Sequence, residues 1–444
     1  MADATTPPVI SGDRPAGTLP AGTSAVNIEI NTSESAMCCY SASANVPYGE
    51  MDDQFDVRGT TNLYTTVYGL ENGNTYYYYV RCTDQYWNAN QDDFVISFSV
   101  GNEPCPAPDR VYGSFSNGST VTVTGANFGA KAHAAPLIWD NFENGVDKQY
   151  LKDLSGWVEN AGNGATYSSG QSFSGRLSAH NEVTAVSGTQ FSTNHVGFAP
   201  CDEIYASYMF RFDVSGDPYG VLKMSRVASN YDGPLPHTDW YNGPGNTSWG
   251  KSSSDITAGG SAASYDSGTR TTQHSVNEIV AGQWQRNEMY KKLSTPGISD
   301  GEVFFARNGK IGWRDFSVLS REAGFSYQLV FFTLGLMLAN PKNDGVFRLY
   351  IDDVYVDDTP ARVELSDKRY WKDMQSYGAR SAIQIPVSWS GNSITFSVNA
   401  GDFIDGDNIY LYIVNGSGNV NAEGYPVTVE DFTQPSPPLN LLVK

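Results

Sequence analysis

Apolar and polar residues alternate with period two along much of this chain, the pattern of strands buried on one face. Ala25-Val26-Asn27-Ile28-Glu29-Ile30 is one such run. Thr75-Tyr76-Tyr77-Tyr78-Tyr79-Val80-Arg81-Cys82 is another, with Tyr76, Tyr78, Val80 and Cys82 on one face. Leu70 and Gly73 precede it, where a tyrosine corner turns a chain into a late sandwich strand. Longer runs follow at Glu203-Ile204-Tyr205-Ala206-Ser207-Tyr208-Met209-Phe210-Arg211-Phe212, at Trp284-Gln285-Arg286-Asn287-Glu288-Met289-Tyr290 and at Gly301-Glu302-Val303-Phe304-Phe305-Ala306-Arg307. Turn clusters separate the runs and helix signals are few, so the pattern predicts an all-β protein.

The runs fall into blocks. Gly101-Asn102-Glu103-Pro104-Cys105-Pro106-Ala107-Pro108 is a proline-rich hinge after the first block. A long middle segment opens on Leu137-Ile138-Trp139-Asp140-Asn141-Phe142-Glu143 and closes on Tyr350-Ile351-Asp352-Asp353-Val354-Tyr355-Val356-Asp357. Residues 228–282 are rich in Gly, Ser, Thr, Asn and Asp and too long for a plain connection. Trp240, Tyr241 and Trp249 within them point to a folded flap.

With 444 residues the chain should hold two to four domains. A formal charge of -20 argues against a nucleic-acid partner, since phosphates are bound by Lys and Arg. No apolar run is long enough to span a membrane. The N-terminus lacks an apolar signal core, and Met1 is read as a start placed after a removed signal of a secreted, extracellular or cell-surface protein. Five cysteines, Cys38, Cys39, Cys82, Cys105 and Cys201, have no metal-type spacing and fit disulfides in an oxidising compartment, with Cys105 and Cys201 among the expected bridging residues. The odd count leaves at least one thiol unpaired or intermolecular.

Specific stretches carry resemblances. Asp3-Ala4-Thr5-Thr6-Pro7-Pro8, Ala36-Met37-Cys38-Cys39-Tyr40, Tyr79-Val80-Arg81-Cys82-Thr83-Asp84 and Phe94-Val95-Ile96-Ser97-Phe98 resemble a bacterial extracellular fibronectin type III or Ig-like module over residues 1–101. That resemblance implies a Cys38–Cys82 disulfide; Cys39 stands where cysteine is unusual and leaves the choice between neighbours open, with alternation favouring Cys38. Ser119-Thr120-Val121-Thr122-Val123-Thr124-Gly125-Ala126-Asn127-Phe128-Gly129 resembles the opening of an IPT/TIG Ig-like domain. Its later strands are matched by Ala361-Arg362-Val363-Glu364-Leu365 and by runs from Ile383 to Val429, so residues 102–136 and 361–430 are read as one discontinuous domain. Ends that lie close together let such a domain accept an insert at a loop.

The insert, residues 137–360, resembles the concanavalin A-like lectin/glucanase superfamily and, within it, polysaccharide-lyase-like modules. The resemblance rests on the Trp-x-Arg-x-Glu strand, the Thr295-Pro296-Gly297 turn, the Asp300-Gly301 restart and the Asn308-Gly309 hairpin, and it implies a jelly-roll of two curved sheets. The expected fold is therefore an N-terminal Ig-like sandwich, a discontinuous IPT/TIG-like sandwich and an inserted concanavalin A-like jelly-roll, followed by a proline-rich tail over residues 431–444.

Four kinds of chemistry follow. Asp140 or Glu143 with Asp352 or Asp353 resembles the carboxylate set of calcium-binding jelly-roll modules, and hard oxygen ligands make structural calcium the implied cofactor. Lys223, Arg226, Arg286 and Glu288 on strands, with Trp240, Tyr241, Trp249 and Trp313 near loops, could bind polysaccharide in a concave groove, the cations favouring acidic glycans. Jelly-roll alginate lyases place a Gln-x-His strand and a Tyr-x-Lys-x-Gly-x-Tyr strand in that groove. Here Leu222-Lys223-Met224-Ser225-Arg226 lacks histidine, and Phe331-Phe332-Thr333-Leu334-Gly335-Leu336-Met337-Leu338 is read with apolar residues in place of tyrosine and lysine. Tyr327, Gln328 and His237 are the substitute constellation. Lastly, Leu439-Asn440-Leu441-Leu442-Val443 on a proline-rich tether could dock on its own domain or add as a strand to a neighbouring copy.

The residues together point to a secreted, non-catalytic multi-module β-protein that binds polysaccharide or builds an extracellular layer or fibre. The rival reading is a divergent lyase acting on a uronate glycan by β-elimination.

Overall fold

The computed structural model describes residues 6–19, 21, 23–101, 104–154, 156–184, 189–216, 219–229, 237–242, 257–266, 269–298, 300–321, 323–342, 344–375 and 378–428. At residues 13, 160, 161, 219–223, 237–242, 257–266, 269–279, 312, 313, 315, 317 and 339–342 the description is of the backbone only. The expected assembly segment, Leu439 to Val443, lies outside the described residues, as does Trp249. Among the described residues the regular elements are strands, apart from three 3-10 helices of three to five residues. Among the described residues no helix is long and apolar enough to cross a membrane.

Two compact units form, one centred on the first 104 residues and the other on almost everything after them. In the first unit the strand Ala25–Ser41 changes partner along its length. Its first half pairs with Thr60–Tyr68 and its second half with Thr75–Thr83, with an irregularity between Asn31 and Ala36. One strand thereby serves both layers of a sandwich. The alternation places Val26, Ile28 and Ile30 inside with Leu63, Val80, Ile96 and Phe98. Tyr76 accepts the Glu71 N–H on its hydroxyl at 2.6 Å, the back-reaching bond of a tyrosine corner.

Cys38 and Cys82 face one another across this ladder and are disulfide-bonded. Cys39, one residue along, points to the opposite face, where it is buried and reduced. The expectation of further bridging through Cys105 and Cys201 is corrected, because both are free thiols. Cys105 is exposed, and Cys201 packs at the edge of the large core with its thiol directed at the Leu329 carbonyl.

The second unit contains a large and a small sandwich. The large one stacks an eight-stranded sheet on a seven-stranded sheet. In the first, Gly345–Asp357 and Glu203–Gly216 are central; in the second, Leu329–Lys342 lies between Gln190–Cys201 and Tyr219–Ser229. Phe210, Phe212, Phe305, Leu349 and Ile351 from one sheet meet Phe332, Leu334, Leu336 and Leu338 from the other in one apolar core. Each such side chain contributes about 1.5–3 kcal/mol by leaving water. The opening strand Ile138–Asp140 pairs antiparallel with the closing strand, Ile138 beside Val356 and Asp140 beside Val354.

That pairing brings the two ends of the large sandwich together. Around them the small sandwich forms from both flanks, with Thr120–Ala126 hydrogen-bonded to Ser393–Ser397 so that Val121 pairs with Phe396. Val121, Val123 and Phe128 share its core with Val363, Leu411 and Ile413. The eight-stranded sheet turns its outer face toward this small sandwich. Trp139, Tyr205, Tyr290 and Tyr355 are buried there against Ile383 and Ile385. Lys131 and Asp357 form a fully buried ion pair at the same junction, and the Tyr355 hydroxyl donates to that carboxylate at 2.7 Å.

Candidate functional site

The seven-stranded sheet of the large sandwich has one face in the core and one turned away from it. Along Leu329–Lys342, Phe332, Leu334, Leu336 and Leu338 point into the core. Strand alternation therefore turns Phe331, Thr333, Gly335 and Met337 outward. Gly335 has φ +130°, and a Cβ there would stand 2.2 Å from the Ser192 carbonyl oxygen, so only glycine lets the neighbouring strand approach.

Register builds a row across three strands. His195 lies opposite Thr333 on one side, and Arg226 lies opposite Thr333 on the other. Thr193 sits two residues before His195 on the same face, and the His195 ring is 5.9 Å from that of Phe331. His195 Nδ1, Thr193 Oγ1 and Thr333 Oγ1 are buried without a hydrogen-bond partner. Leaving a polar atom in that state costs about 1–3 kcal/mol, so three in one row require an explanation.

His195, on Gln190–Cys201, was not among the residues the sequence singled out. On Tyr219–Ser229, Met224 and Val227 face the core and Ser225 accepts the Tyr208 hydroxyl at 2.8 Å, which leaves Arg226 outward. The Thr193-x-His195 spacing of the neighbouring strand was the signal that would have found it. The strand compared with Tyr-x-Lys-x-Gly-x-Tyr does lie on this face, with Phe331, Thr333, Gly335 and Met337 in those places.

Arg286 and Glu288 are not in this face, which corrects their assignment to the groove. They project from Trp284–Lys292 on the covered side of the other sheet and are each 4% exposed. Arg286 donates to both oxygens of Glu364, at 2.6 and 3.1 Å, to Glu288 at 3.1 Å and to the Tyr205 hydroxyl at 2.8 Å. Arg362 also pairs with Glu364. Burial alone would raise the Glu364 carboxyl, but the two guanidinium groups pull it down to about 2. The group is an internal lock between the two sandwiches.

By backbone register Lys223 lies beside Met337 of the strand that carries Thr333. Trp313 belongs to Lys310–Val318 of the eight-stranded sheet, away from the row. By backbone register Lys223 lies beside Tyr241, Trp240 beside Ser225 and His237 beside Ala228, and the description there stops at the backbone. Tyr327 is packed into the large core and Gln328 donates to Asp202 at 3.2 Å.

Asp140, Glu143, Asp352 and Asp353 are all buried near the ends of the large sandwich. Their oxygens accept protein donors. Asp140 takes the Phe142 N–H and the Trp157 indole, and Glu143 the N–H groups of Arg176 and Leu177. Asp352 takes the N–H groups of Phe173 and Ser174, while Asp353 takes the Ser174 hydroxyl and the Asn399 amide. Among the described residues no three His, Cys, Asp or Glu side chains converge as metal ligands. Burial pushes Asp352 well above the usual carboxylate range and Asp353 up to about 6.

A raised folded value makes the stability from Asp353 complete below its unfolded value and lost as pH rises through about 6. Asp353 has φ +48°, a conformation asparagine tolerates. Asp353→Asn is therefore expected to stabilise the protein by about 1–2 kcal/mol at pH 7 and to be neutral near pH 4, read from melting curves. The same melts test the expected cation: calcium raises the wild-type midpoint at pH 7 over a chelator control if these carboxylates hold it.

The fold is that of an all-β protein built from sandwich sheets. No family model matches the chain, and no curated protein does. Among solved structures it is similar to an endo-β-1,4-glucuronan lyase from the fungus Trichoderma reesei, with 16% identity, 48% of this chain and 94% of that one covered, and a TM-score of 0.37. It is also similar to alginate lyase Aly36B, with 11% identity, coverage of 51% and 98%, and a TM-score of 0.37. A third is the cellulose-induced protein Cip1, with 16% identity, coverage of 50% and 97%, and a TM-score of 0.33.

Proposed function

We propose that this is a secreted polysaccharide-binding protein that holds an acidic glycan across the outer face of its seven-stranded sheet. The observation that carries the proposal is the row His195, Thr333, Arg226, with unpartnered polar atoms at His195 and Thr333. Arg226 supplies a charge-assisted partner for a uronate carboxylate. Thr193, Thr333 and His195 offer partners for hydroxyls, and Phe331 and Met337 offer apolar contact to ring faces.

Binding rather than cleavage is favoured because Phe331, Thr333 and Met337 stand where lyase-like strands carry tyrosine and lysine. Retention on alginate and glucuronan affinity gels, with Kd from calorimetry, tests the proposal. Arg226→Ala is expected to weaken binding at least about tenfold. Equal binding by Arg226→Ala, or no retention on either gel, would sink it.

One observation favours a second reading, a β-eliminating lyase. His195 and Arg226 are two strand spacings apart, about 10 Å, so a uronate lying between them could meet a base and a carboxylate partner at once. Unsaturated uronate products, seen as new ultraviolet absorbance and lost in His195→Ala, would establish this reading over the first.

A further inference from the structure

The loop between Thr75–Thr83 and Phe94–Val100 of the first sandwich presents Tyr86 and Trp87 to solvent, 52% and 74% exposed. Of the tryptophans whose side chains are described, Trp87 alone is exposed. One exposed aromatic needs no explanation. Its backbone does, because Trp87 has φ +68°, a conformation bulky residues rarely adopt.

The loop is tied down on every side. Asp84, 1% exposed, accepts the N–H groups of Tyr86 and Asn88 and the Asn88 amide, each at 2.8 Å. Asn90 accepts the Cys82 N–H at 2.9 Å and donates to the Pro8 carbonyl at 2.9 Å. Cys82 is itself bonded to Cys38. Arg81 holds Asp93 at 2.6 Å, and Asp93 also accepts the Asn45 N–H. A strained residue fixed in this way keeps two rings in water with little ordering left to lose, which is the preorganisation that binding rewards.

We propose that Tyr86 and Trp87 form a stacking site for a neutral pyranose glycan, separate from the acidic-glycan face proposed above. Beside them along the chain Gln85 is exposed and carries an amide suited to sugar hydroxyls, and the acidic Asp92 disfavours uronates. Two rings exposed to this extent offer on the order of 300 Å², well below the roughly 1,000 Å² of a stable protein interface. A pyranose presents a C–H face of that smaller scale.

The test titrates the full chain with cello-, laminari- and manno-hexaose, and with an alginate hexamer as the acidic comparison, by calorimetry and tryptophan fluorescence. Saturable binding of at least one neutral hexaose is expected, weakened about tenfold or more in Trp87→Gly and partly kept in Trp87→Phe. Glycine adopts positive φ freely, so Trp87→Gly should melt no lower than wild type, which separates lost stacking from lost folding. Arg226→Ala should leave neutral binding unchanged, so the two sites fail independently. The proposal is overturned by absence of neutral binding, by unaltered binding in Trp87→Gly, or by a sedimentation shift lost in Trp87→Gly that assigns the rings to a second copy.

Discussion

Arg286→Ala is expected to destabilise the second unit by about 3–5 kcal/mol, the largest effect of any single substitution considered. Arg286 is the shared donor to Glu364, Glu288 and Tyr205, and removing it leaves two carboxylates buried with only Arg362 between them. The loss comes from an uncompensated buried charge more than from the contact itself. Arg286→Met combined with Glu364→Leu keeps the charge balance, so it should recover at least half of it. Urea unfolding followed by fluorescence reads both. Glu364 is held down to about 2 in the fold, so its contribution is present above its ordinary value and disappears as pH falls from there through about 2. A single variant that unfolds like wild type would remove the lock.

Replacing Cys38 and Cys82 together by alanine is the second large effect, confined to the first unit. The bridge closes a separation of 44 residues, for which chain-entropy arithmetic gives about 4 kcal/mol. Strong reductant should reproduce the loss, whereas Cys105→Ser should cost under about 0.5 kcal/mol because that thiol is exposed. Thiol labelling of the native chain checks the assignment independently. Cys105 should react first, since burial pushes the Cys201 thiol up to about 12 and keeps it protonated.

Strand by strand, much of the architecture was legible. Val26, Ile28 and Ile30 alternate in the sequence and are all buried on one side. Val80 and Cys82 do the same, and the late position of Tyr76 fits its corner bond. The functional reading of Trp284–Lys292 fared worse for a definite reason. Period two states that Arg286 and Glu288 share a face, but both sides of that strand are covered, one by the large core and one by the small sandwich. Charged residues on a covered side look in sequence like charged residues in a groove. His195 escaped because its significance lies in Thr333 and Arg226, which are 138 and 31 positions away along the chain.

The all-β character, with its local alternation and turn residues, therefore came from the residues alone, because strand periodicity and turn chemistry act over a few neighbours. Tertiary structure decided which sheet face was buried under a second sandwich, and it assembled the row at His195, Thr333 and Arg226. Those outcomes depend on the register between distant strands, a property of the packed chain that no short window of sequence contains.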